Sequence, residues 1–450
     1  MHSRPTGSKL VRLHIGIDDT DSKKGGCTTY IAARLVEQFS QIGAKFRDYP
    51  NIIRLNPNIP YKTRGNAAVA FRLSINQATY DTVQETVLRC VEQNSRLGDL
   101  GTDPAVVFLK GNPNTKIQAV ARKALSDIVS LKEAIRALHG AELRAVCYGT
   151  GLGLVGALAA VGQNMSGDHT YELIAYRERW NCGTTRHIDP ESVKRMDQLT
   201  TPYTFNNYDS ANRRILIAPH GPDPVLLGIR GESALDVLNA FHLLRLREPV
   251  ERWVIFRTNH ATDAHFEYAD DDIVRFDRPV KLAGIVLDKP QRIAGGHVIF
   301  TLKHRSGAVK CAAFEPTGRF KEVAAKLVPG DKVTVFGGVR KRSNLPPTIN
   351  LEKLIVRYLA PETALQNPIC PQCGKHMKSA GRFQGFRCVR CHLNSPHAAK
   401  CEVIRSRSVL TGLYLPDKKA HRHLTKPISR YGIENRKWDG APPSGEWHSP

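Results

Sequence analysis

The pattern of apolar residues changes once along the chain, close to residue 278, and this change limits the folds that the chain can adopt. Before it, runs with strand character are followed by runs with helical spacing, such as Val11–Ile17 and then a helix predicted from Thr28, or Ala105–Leu109 and then a single helix predicted over Ile117–Leu138. This alternation predicts mixed α/β architecture with two interleaved units. After it, short strand-like runs are separated by glycines, which indicates a small β-barrel.

The barrel prediction rests on five strand-like runs between Pro279 and Leu359, with a helical stretch, Arg319–Leu327, between the third and the fourth. This order is typical of a Greek-key barrel of the oligonucleotide-binding (OB) kind. The alternative is a small barrel without a ligand. We therefore expect an OB-fold over residues 278–360, with two other folded parts in a chain of 450 residues.

The net charge of +23 is concentrated in the C-terminal part of the chain. From Arg278 onward there are 31 basic and 11 acidic residues, a net of +20, whereas the first 277 residues have 34 basic and 31 acidic residues, a net of +3. This distribution favours nucleic acid as the partner, the alternative being a solvated basic face. The longest uncharged stretch, Ala145–Gly167, is too rich in glycine for a membrane span, so we expect no membrane association.

Four of the ten cysteines form two Cys-x2-Cys pairs, Cys370/Cys373 and Cys388/Cys391, with fourteen residues between them. Two such turns complete a tetrahedral Zn²⁺ site without an open position, so the metal is expected to be structural. Disulfide pairing is the alternative, but the scattered remaining cysteines favour a reducing, cytoplasmic protein. The predicted zinc ribbon has side chains suited to contact bases and phosphates, namely Arg382, Phe383, Phe386, Arg387 and Arg390.

Three carboxylates, Asp18, Asp19 and Asp21, follow the first predicted strand and precede the helix predicted from Thr28. Clustered carboxylates attract Mg²⁺, which brings phosphates with it, and a helix N-terminus offers N–H groups to phosphate oxygens. The loop between them contains Lys23 and Gly26, which we include in the predicted nucleotide site. The alternative is a helix cap and turn without a ligand, for which the same residue types are ordinary choices.

Two further segments remain open to more than one interpretation. Residues 149–156 contain Gly-x-Gly-x-x-Gly, which indicates a dinucleotide site, close backbone packing or a loop beside a nucleotide. Glu172 is a weak candidate for the acidic residue that a dinucleotide site requires. Lys62 and Arg64 follow a proline-rich loop and are candidate RNA contacts, or side chains of a solvated turn.

Several unusual motifs occur in one order over about 400 residues and resemble the archaeal tRNA 2-agmatinylcytidine synthetase family. They are Ile15–Asp21, Gly26–Thr29, Arg54–Asn66, the glycine cluster, Tyr171–Arg177, Pro224–Gly231, Thr258–His265, Gly295–Phe300 and Cys311–Thr317. The resemblance does not cover the first few residues or those after Leu410. His260 departs from it, because a glutamine is expected at that position.

The resemblance implies an α+β multidomain fold: a kinase-like domain interleaved with a ferredoxin-like domain, then an OB-fold and a zinc ribbon. It also implies a ligase that uses ATP to phosphorylate the C2 carbonyl of the wobble cytidine in a CAU-anticodon isoleucine tRNA. Agmatine then displaces the phosphate, so that AUA is decoded. Asp18, Asp19 and Asp21 would serve ATP and metal, and Thr28 would receive phosphate.

We therefore expect four parts: residues 1–277, 278–360, 366–410 and a basic C-terminal tail, 411–450, whose composition predicts no regular structure. Agmatine carries two positive charges and needs carboxylates, for which the candidates are Asp189, Asp197 and Asp209. No protein partner is implied. The rival functions are an RNA-binding protein whose acidic loop is structural, and a kinase that acts on another RNA.

Overall fold

A ten-stranded sheet occupies the N-terminal part of the protein in the computed structural model, which describes residues 9–62, 65–267, 274–342, 345–435, 438 and 440–449. The strands of this part are β1 (Leu10–Asp18), β2 (Lys45–Phe46), β3 (Asn51–Arg54), β4 (Ala67–Asn76), β5 (Ala105–Lys110), β6 (Leu143–Cys147), β7 (Thr170–Arg177), β8 (Thr204–Phe205), β9 (Tyr208–Asp209), β10 (Arg214–Ile215), β11 (Val225–Gly231) and β12 (Val250–Thr258). Its helices are α1 (Thr28–Gln41), α2 (Tyr80–Asn94), α3 (Thr115–Ser126), α4 (Leu131–Leu138), α5 (Gly153–Gly162), α6 (Pro190–Thr200), α7 (Ala234–His242) and α8 (Ala264–Glu267).

The sheet joins two halves of the sequence. Its order is β6-β5-β1-β4-β3-β12-β7-β11-β8, with β2 added to β4, while β9 and β10 form a separate hairpin. The seam lies between β3 and β12, which pair in parallel, whereas the other pairs of this sheet are antiparallel. The early and late strands therefore form one continuous sheet, and the predicted interleaving of the two units is confirmed.

Successive side chains of a strand point to opposite faces of the sheet, and in the first half of this sheet the two faces differ. In β4, Val69 and Phe71 pack with α1 and α2, whereas Ala68 and Ala70 face α3, α4 and α5. The small side chains on the second face let α5 approach closely. A Cβ on Gly16 of β1 would overlap the carbonyl oxygen of Ala157 in α5.

The single helix predicted over Ile117–Leu138 is wrong, because the structure has two helices, α3 and α4. Helix α3 ends at Ser126, and α4 begins after Ser130, whose hydroxyl accepts the N–H of Glu133 while the Glu133 carboxylate accepts the N–H of Ser130. This capping box is a local start signal that the apolar spacing alone did not reveal.

The predicted OB-fold is confirmed as a closed five-stranded barrel. Its elements are β13 (Pro279–Val286), β14 (Gln291–Arg292), β15 (Val298–His304), β16 (Gly307–Ala313), α9 (Arg319–Ala325), β17 (Lys332–Arg342) and β18 (Leu345–Tyr358). The barrel order is β13-β17-β18-β16-β15, and it closes where β15 returns to β13, with β14 paired to β15 outside the ring. Helix α9 contributes Phe320 and Ala324 to the barrel core.

The predicted zinc ribbon follows the barrel on a two-stranded stem. Strands β19 (Glu362–Gln366) and β23 (Cys401–Arg405) pair in antiparallel fashion and bring both ends of the ribbon together. Between them, β20 (Lys378–Ser379), β21 (Phe386–Arg387) and β22 (Asn394–Ser395) form a small sheet around a core that includes Cys370, Met377 and Cys388.

The described residues after the ribbon, 411–435, 438 and 440–449, pack against the rest of the protein. Within these residues the regular structure is one strand, β24 (Gly412–Tyr414), which pairs with β18, and two short 3-10 turns. Trp447 packs on Phe46 and Tyr49, with ring centroids 5.0 and 6.0 Å away. The prediction of no regular structure is wrong for Gly412–Tyr414, because pairing with β18 makes this segment a strand, and composition did not reveal the packing.

Arg430 anchors this segment to the N-terminal sheet. Its guanidinium is fully buried and donates to Glu232 Oε1 (2.5 Å), to Asp168 Oδ1 (2.8 Å) and to the carbonyl of Ala261 (2.6 Å). The two carboxylates satisfy the guanidinium by charge as well as by hydrogen bonds, which fixes the segment at this point.

None of the described helices combines the length and apolar character needed to cross a membrane.

We expect Arg430→Met to lower the free energy of unfolding by about 3 kcal/mol, because buried Glu232 would lose the guanidinium that it is paired with, while Asp168 would keep only Lys426 at 3.0 Å. Denaturant unfolding followed by tryptophan fluorescence measures the change. Arg405→Met, at an exposed position on β23, is the matched control and should change little. Equal stability of the two variants would contradict the anchoring role.

Candidate active site

A cavity of about 530 Å³ lies where the two halves of the sheet, the proline-rich loop after β3 and the C-terminal segment meet. We call the part of its lining that comes from the loop after β1 and the start of α5 the acidic end, and the part that comes from β3, β7, β11 and residues 418–423 the basic end. The charged and polar residues that line it include Asp18, Asp19, Asp21, Thr28, Arg54, Lys62, Asp103, Glu172, Asp223, Arg230, His260, Lys418, Lys419, Arg422 and His423.

The acidic end is held by a strained turn that follows β1. Asp19 has φ 59°, a left-handed conformation that is uncommon outside glycine, and its Oδ2 accepts the N–H of Asp103 at 3.2 Å. The chain then turns back through a Ser22–Gly25 bridge, and Gly26 follows with φ 79°. Helix α1 begins at Thr28, whose hydroxyl oxygen accepts the hydroxyl of Thr20 at 2.9 Å.

The glycine cluster of residues 149–156 packs directly on this turn. A Cβ on Gly156 would overlap Asp18 Oδ2, and one on Gly153 would overlap the Asp103 carbonyl and lie 3.1 Å from the Asp19 Cβ. The start of α5 can therefore lie against the acidic loop only because these positions have no side chain. The structure shows the close backbone packing, and Gly153 and Gly156 also line the cavity, so a loop beside a nucleotide stays a prediction.

Burial and mutual repulsion disfavour negative charge in the acidic loop. The pKa of Asp18 is raised well above its usual range by burial, with the charges of Asp19 and Asp21 adding to the effect. Burial also raises the pKa of Asp19 to about 6. Such an arrangement is stabilised by a bound cation, and perturbed groups of this kind are concentrated at functional sites.

The other end of the cavity is basic. Glu172 lies between two guanidiniums, with its Oε1 2.9 Å from Arg230 Nε and its Oε2 3.8 Å from Arg54 Nη2. His260, the departure from the family pattern, lies with its Nδ1 3.3 Å from Glu172 Oε2. Burial lowers the pKa of His260 to about 4, so the imidazole is neutral near physiological pH. The ring of His423 meets the His260 ring edge-on, with centroids 5.1 Å apart.

The structure brings together most of the residues predicted for the catalytic and nucleotide sites. Asp18, Asp19, Asp21 and Thr28 line the cavity, as does Lys62. Lys23 is exposed and is not part of the lining, while Gly26 contributes the turn itself. Arg64 lies outside the described residues.

The three candidate carboxylates for agmatine are not among the residues that line the cavity, although Asp197 lies 3.9 Å from the lining residue Lys418. Asp189 lies 3.6 Å from Arg247, Asp197 accepts from Asn207, and Asp209 accepts the N–H of Ala211 and Asn212. Each of the three side chains therefore has a local partner in the structure. The carboxylates that line the cavity are instead Asp18, Asp19, Asp21, Asp103, Asp127, Glu172 and Asp223.

Sequence reasoning missed several lining residues. Asp103 lies in the loop before β5, and its carboxylate accepts both the N–H and the hydroxyl of Thr150 at 2.7 Å. It was missed because it belongs to no motif in the sequence. Arg54 and Arg230 lay inside motifs used for the resemblance, without an assigned role. His423 lies in the C-terminal tail, where no motif was recognised.

The four cysteines of the ribbon are arranged as a metal site. Their Sγ atoms lie within 4.8 Å of one another, and the Sγ atoms of Cys373 and Cys388 are 3.5 Å apart. The N–H of Cys391 donates to Cys388 Sγ at 3.3 Å, which stabilises thiolate charge. This donor set fits tetrahedral Zn²⁺. Within the described residues, the carboxylates of the acidic loop do not form a second group of this kind.

Among the side chains proposed for RNA contact in the ribbon, the two aromatic rings differ. Phe386 is only 7% exposed and packs in the ribbon core, so it does not offer a face for base stacking. Phe383 is 91% exposed, and the Arg382 guanidinium lies 5.2 Å from its ring centroid. Arg387 and Arg390 are exposed.

The fold and the cavity define a multidomain protein in which a nucleotide-type site is combined with nucleic-acid-binding modules. Family models match the TiaS TCKD domain over residues 14–150, the TiaS FLD domain over 151–265, an OB-fold nucleic acid binding domain over 280–357 and the TiaS C-terminal zinc ribbon over 367–406. The chain belongs to the TiaS family.

Relatives and solved structures that match nearly the whole chain support the same family assignment. The chain is 41% identical to the isoleucine-tRNA 2-agmatinylcytidine synthetase TiaS of Archaeoglobus fulgidus, covering 95% of this chain and 99% of the relative. It is 42% identical to the synthetase of Cenarchaeum symbiosum, covering 96% of each chain. A crystal structure of TiaS in complex with its isoleucine tRNA and ATP matches with a TM-score of 0.84 and 40% identity over 95% of this chain and 99% of that chain.

The boundary at residue 150 between the first two family models does not coincide with a physical boundary. Helix α5 belongs to the second model, yet it packs on β1, β4 and β5 of the first. Its glycines also shape the acidic loop.

We expect Asp19→Asn to raise the free energy of unfolding by about 2 kcal/mol near pH 7 in the absence of divalent cations. A carboxyl group with a raised pKa binds its proton more tightly in the folded state, so its contribution to stability is present at low pH and is lost as pH rises from about 4 to about 6. Denaturant unfolding of both proteins at about pH 4 and about pH 7 measures this, and the difference should vanish at the lower pH. A stability difference that does not depend on pH would contradict the electrostatic cause.

We expect the protein to contain one equivalent of zinc and Cys388→Ser to lose it, because the remaining three thiolates do not complete the tetrahedral shell. Elemental analysis of purified protein measures the metal. Cys401→Ser replaces an exposed cysteine outside the cluster and should retain the zinc. Full zinc content in Cys388→Ser would refute the assigned ligand set.

Proposed function

We propose that the protein is an ATP-dependent ligase that joins agmatine to C2 of the wobble cytidine in the CAU-anticodon isoleucine tRNA. The observation that carries the proposal is a cavity whose lining includes an acidic loop at the start of helix α1 and a group of basic side chains, in a chain of the TiaS family. Solved relatives include a TiaS complex with its isoleucine tRNA, AMPCPP and agmatine, which matches this chain with a TM-score of 0.82.

The reaction that we propose has two steps. The γ-phosphoryl group of ATP is transferred to the C2 carbonyl oxygen of the cytidine, which releases ADP and makes a phosphate leaving group. The primary amine of agmatine then attacks C2, the C–O bond to phosphate breaks, and the amine loses a proton. The products are 2-agmatinylcytidine, ADP and phosphate.

We assign the nucleotide to the acidic end. Asp18, Asp19 and Asp21 would hold Mg²⁺ through one or two carboxylates, with phosphate and water oxygens as the other ligands, which is the usual manner of Mg²⁺ binding. Mg²⁺ supplies charge neutralisation for the phosphates. The fit is supported by the raised pKa values of Asp18 and Asp19, which indicate carboxylates placed without enough positive charge nearby.

Thr28 is the residue that we propose for phosphate contact. Thr28 is the first residue of α1, where free backbone N–H groups favour an anion. It lines the cavity together with the aspartates. The hydroxyl of Thr20 already donates to it, so its own proton is free to be donated to a phosphate oxygen. Lys23 and Gly26 remain proposed members of this site, the lysine by charge and the glycine through its turn.

We assign the RNA to the basic modules and the basic end of the cavity. The wobble cytidine must leave its stack to reach the phosphate, as bases do in other enzymes that modify them. Lys62, Arg64, Arg382, Arg387 and Arg390 are proposed phosphate contacts, and exposed Phe383 replaces buried Phe386 as the proposed stacking ring. In the proposed division of labour, residues 1–277 perform the chemistry, and 278–360 and 366–410 hold the tRNA.

Incubation of the protein with tRNA transcript, ATP and labelled agmatine tests the function directly, scored by transfer of label to RNA. We expect transfer that requires ATP, and we expect Asp19→Asn to abolish ATP consumption while tRNA affinity stays within a few fold. Asp81→Asn, on the exposed first turn of α2, is the matched control and should retain activity. ATP consumption with RNA but without label transfer would indicate a kinase acting on RNA, and activity in Asp19→Asn would place the chemistry elsewhere.

A further inference from the structure

Residues 411–435, which we call the return segment, run from the OB barrel back to the cavity. At its start, β24 pairs with the barrel strand β18, and the N–H of Asp417 donates to the carbonyl of Thr317 at 3.1 Å. At its end, Arg430 is buried against Asp168 and Glu232. The matching family models end at residue 406, so they assign no role to this segment.

Between these anchors, the return segment is built into the cavity wall. The carbonyl of His423 accepts the N–H of Ala261 and the carbonyl of Leu424 accepts the N–H of Asp263, both at 2.8 Å. These bonds fix the backbone beside the end of β12. The segment therefore presents Lys418, Lys419, Arg422 and His423 to the cavity in a defined arrangement.

The two lysines of the return segment carry positive charge that is poorly compensated. The Lys418 ammonium donates to the carbonyl of Tyr208 at 3.1 Å, and the Lys419 ammonium donates to Asn212 Oδ1 at 3.0 Å. Both acceptors are neutral. A carboxylate of Asp197 lies 3.9 Å from Lys418, at the limit of an ion pair. Both lysines are exposed, so they are accessible to a ligand.

Other cationic side chains that line the cavity add to the positive potential. Lys62 is held by the carbonyl of Pro57, another neutral acceptor. Burial, followed by the charges of Arg422 and Arg340, lowers the pKa of Lys62 to about 8. Arg422 is paired with Glu352 at 2.8 Å, but this pairing does not remove its effect on Lys62. An excess of positive charge at this wall favours a polyanion.

We propose that Lys418 and Lys419 bind backbone phosphates of the RNA strand that carries the modified nucleotide. RNA is favoured over ATP because the return segment starts on the edge of the nucleic-acid-binding barrel and leads from it to the cavity. The acidic loop, which with the start of α1 suits a nucleotide triphosphate with its metal, contacts Asp103 and the start of α5, whereas the two lysines contact Tyr208 and Asn212. The inference rests on the proposed function in one respect, that the RNA is a tRNA whose nucleotide enters this cavity.

The double variant Lys418→Gln/Lys419→Gln tests the proposal in the full-length protein. Fluorescence anisotropy with a labelled transcript of the CAU-anticodon isoleucine tRNA gives the affinity over a series of salt concentrations. We expect the affinity to fall about tenfold near physiological salt, and the slope of log K against log salt to decrease in magnitude by about 1.4, since each single-strand phosphate contact contributes about 0.7. The affinity for ATP without tRNA should stay within about twofold, because the phosphates of ATP lie elsewhere in this proposal.

Two matched proteins control for the loss of charge and for folding. Lys116→Gln/Lys132→Gln removes the same charge from exposed positions on α3 and α4, away from the cavity, and should leave the salt slope unchanged. Lys418→Arg/Lys419→Arg keeps the charge and should restore both affinity and slope.

An unchanged salt slope in the glutamine variant would overturn the proposal. A loss of ATP affinity with an unchanged slope would also overturn it, because the wall would then hold nucleotide phosphates. The outcome is separable from that of the proposed function. A protein that shows the expected slope change but transfers no agmatine would refute the proposed reaction and support the RNA contact.

Discussion

The contact between helix α5 and the carboxyl end of β1 is the constraint on which the site depends. Glycine at positions 16, 153 and 156 removes the side chains that would otherwise separate the helix from the strand and from Asp18. Without this approach, the left-handed backbone of Asp19 would lose the packing of α5 and would be held mainly by the hydrogen bond from the Asp103 N–H. The same contact joins the two family domains into one folded unit.

The cavity built on this contact is divided electrostatically. Carboxylates with raised pKa values occupy one end, and two guanidiniums share one buried carboxylate at the other. In the proposed function, a metal-bound nucleotide would satisfy the first arrangement and RNA phosphates would satisfy the second. The return segment adds to the basic end and is held there by Arg430, whose buried guanidinium fixes the chain that carries the two lysines.

Features that depend on neighbouring residues were predictable. The alternation of β1, the start of α1, the barrel strands and the two cysteine turns all follow from short-range patterns, and the structure confirms them. The break between α3 and α4 was also encoded locally, in the Ser130–Glu133 capping box, but apolar spacing masked it. The aspartates and Thr28, which lie in the family motifs, line the cavity, whereas candidates for agmatine chosen only by residue type, such as Asp197, are not among the lining residues.

The sequence by itself determined the order of the modules, the acidic turn and the zinc ligands, because each is specified within a few tens of residues by periodicity, composition or ligand spacing. Only the tertiary structure decided that Arg54, Asp103, Arg230 and His423 share one cavity with Asp18. These residues come from segments up to 405 positions apart, and they meet through the parallel seam of β3 and β12 and the return of the C-terminal segment. Such pairing depends on which surfaces are buried together, and no local pattern in the chain records it.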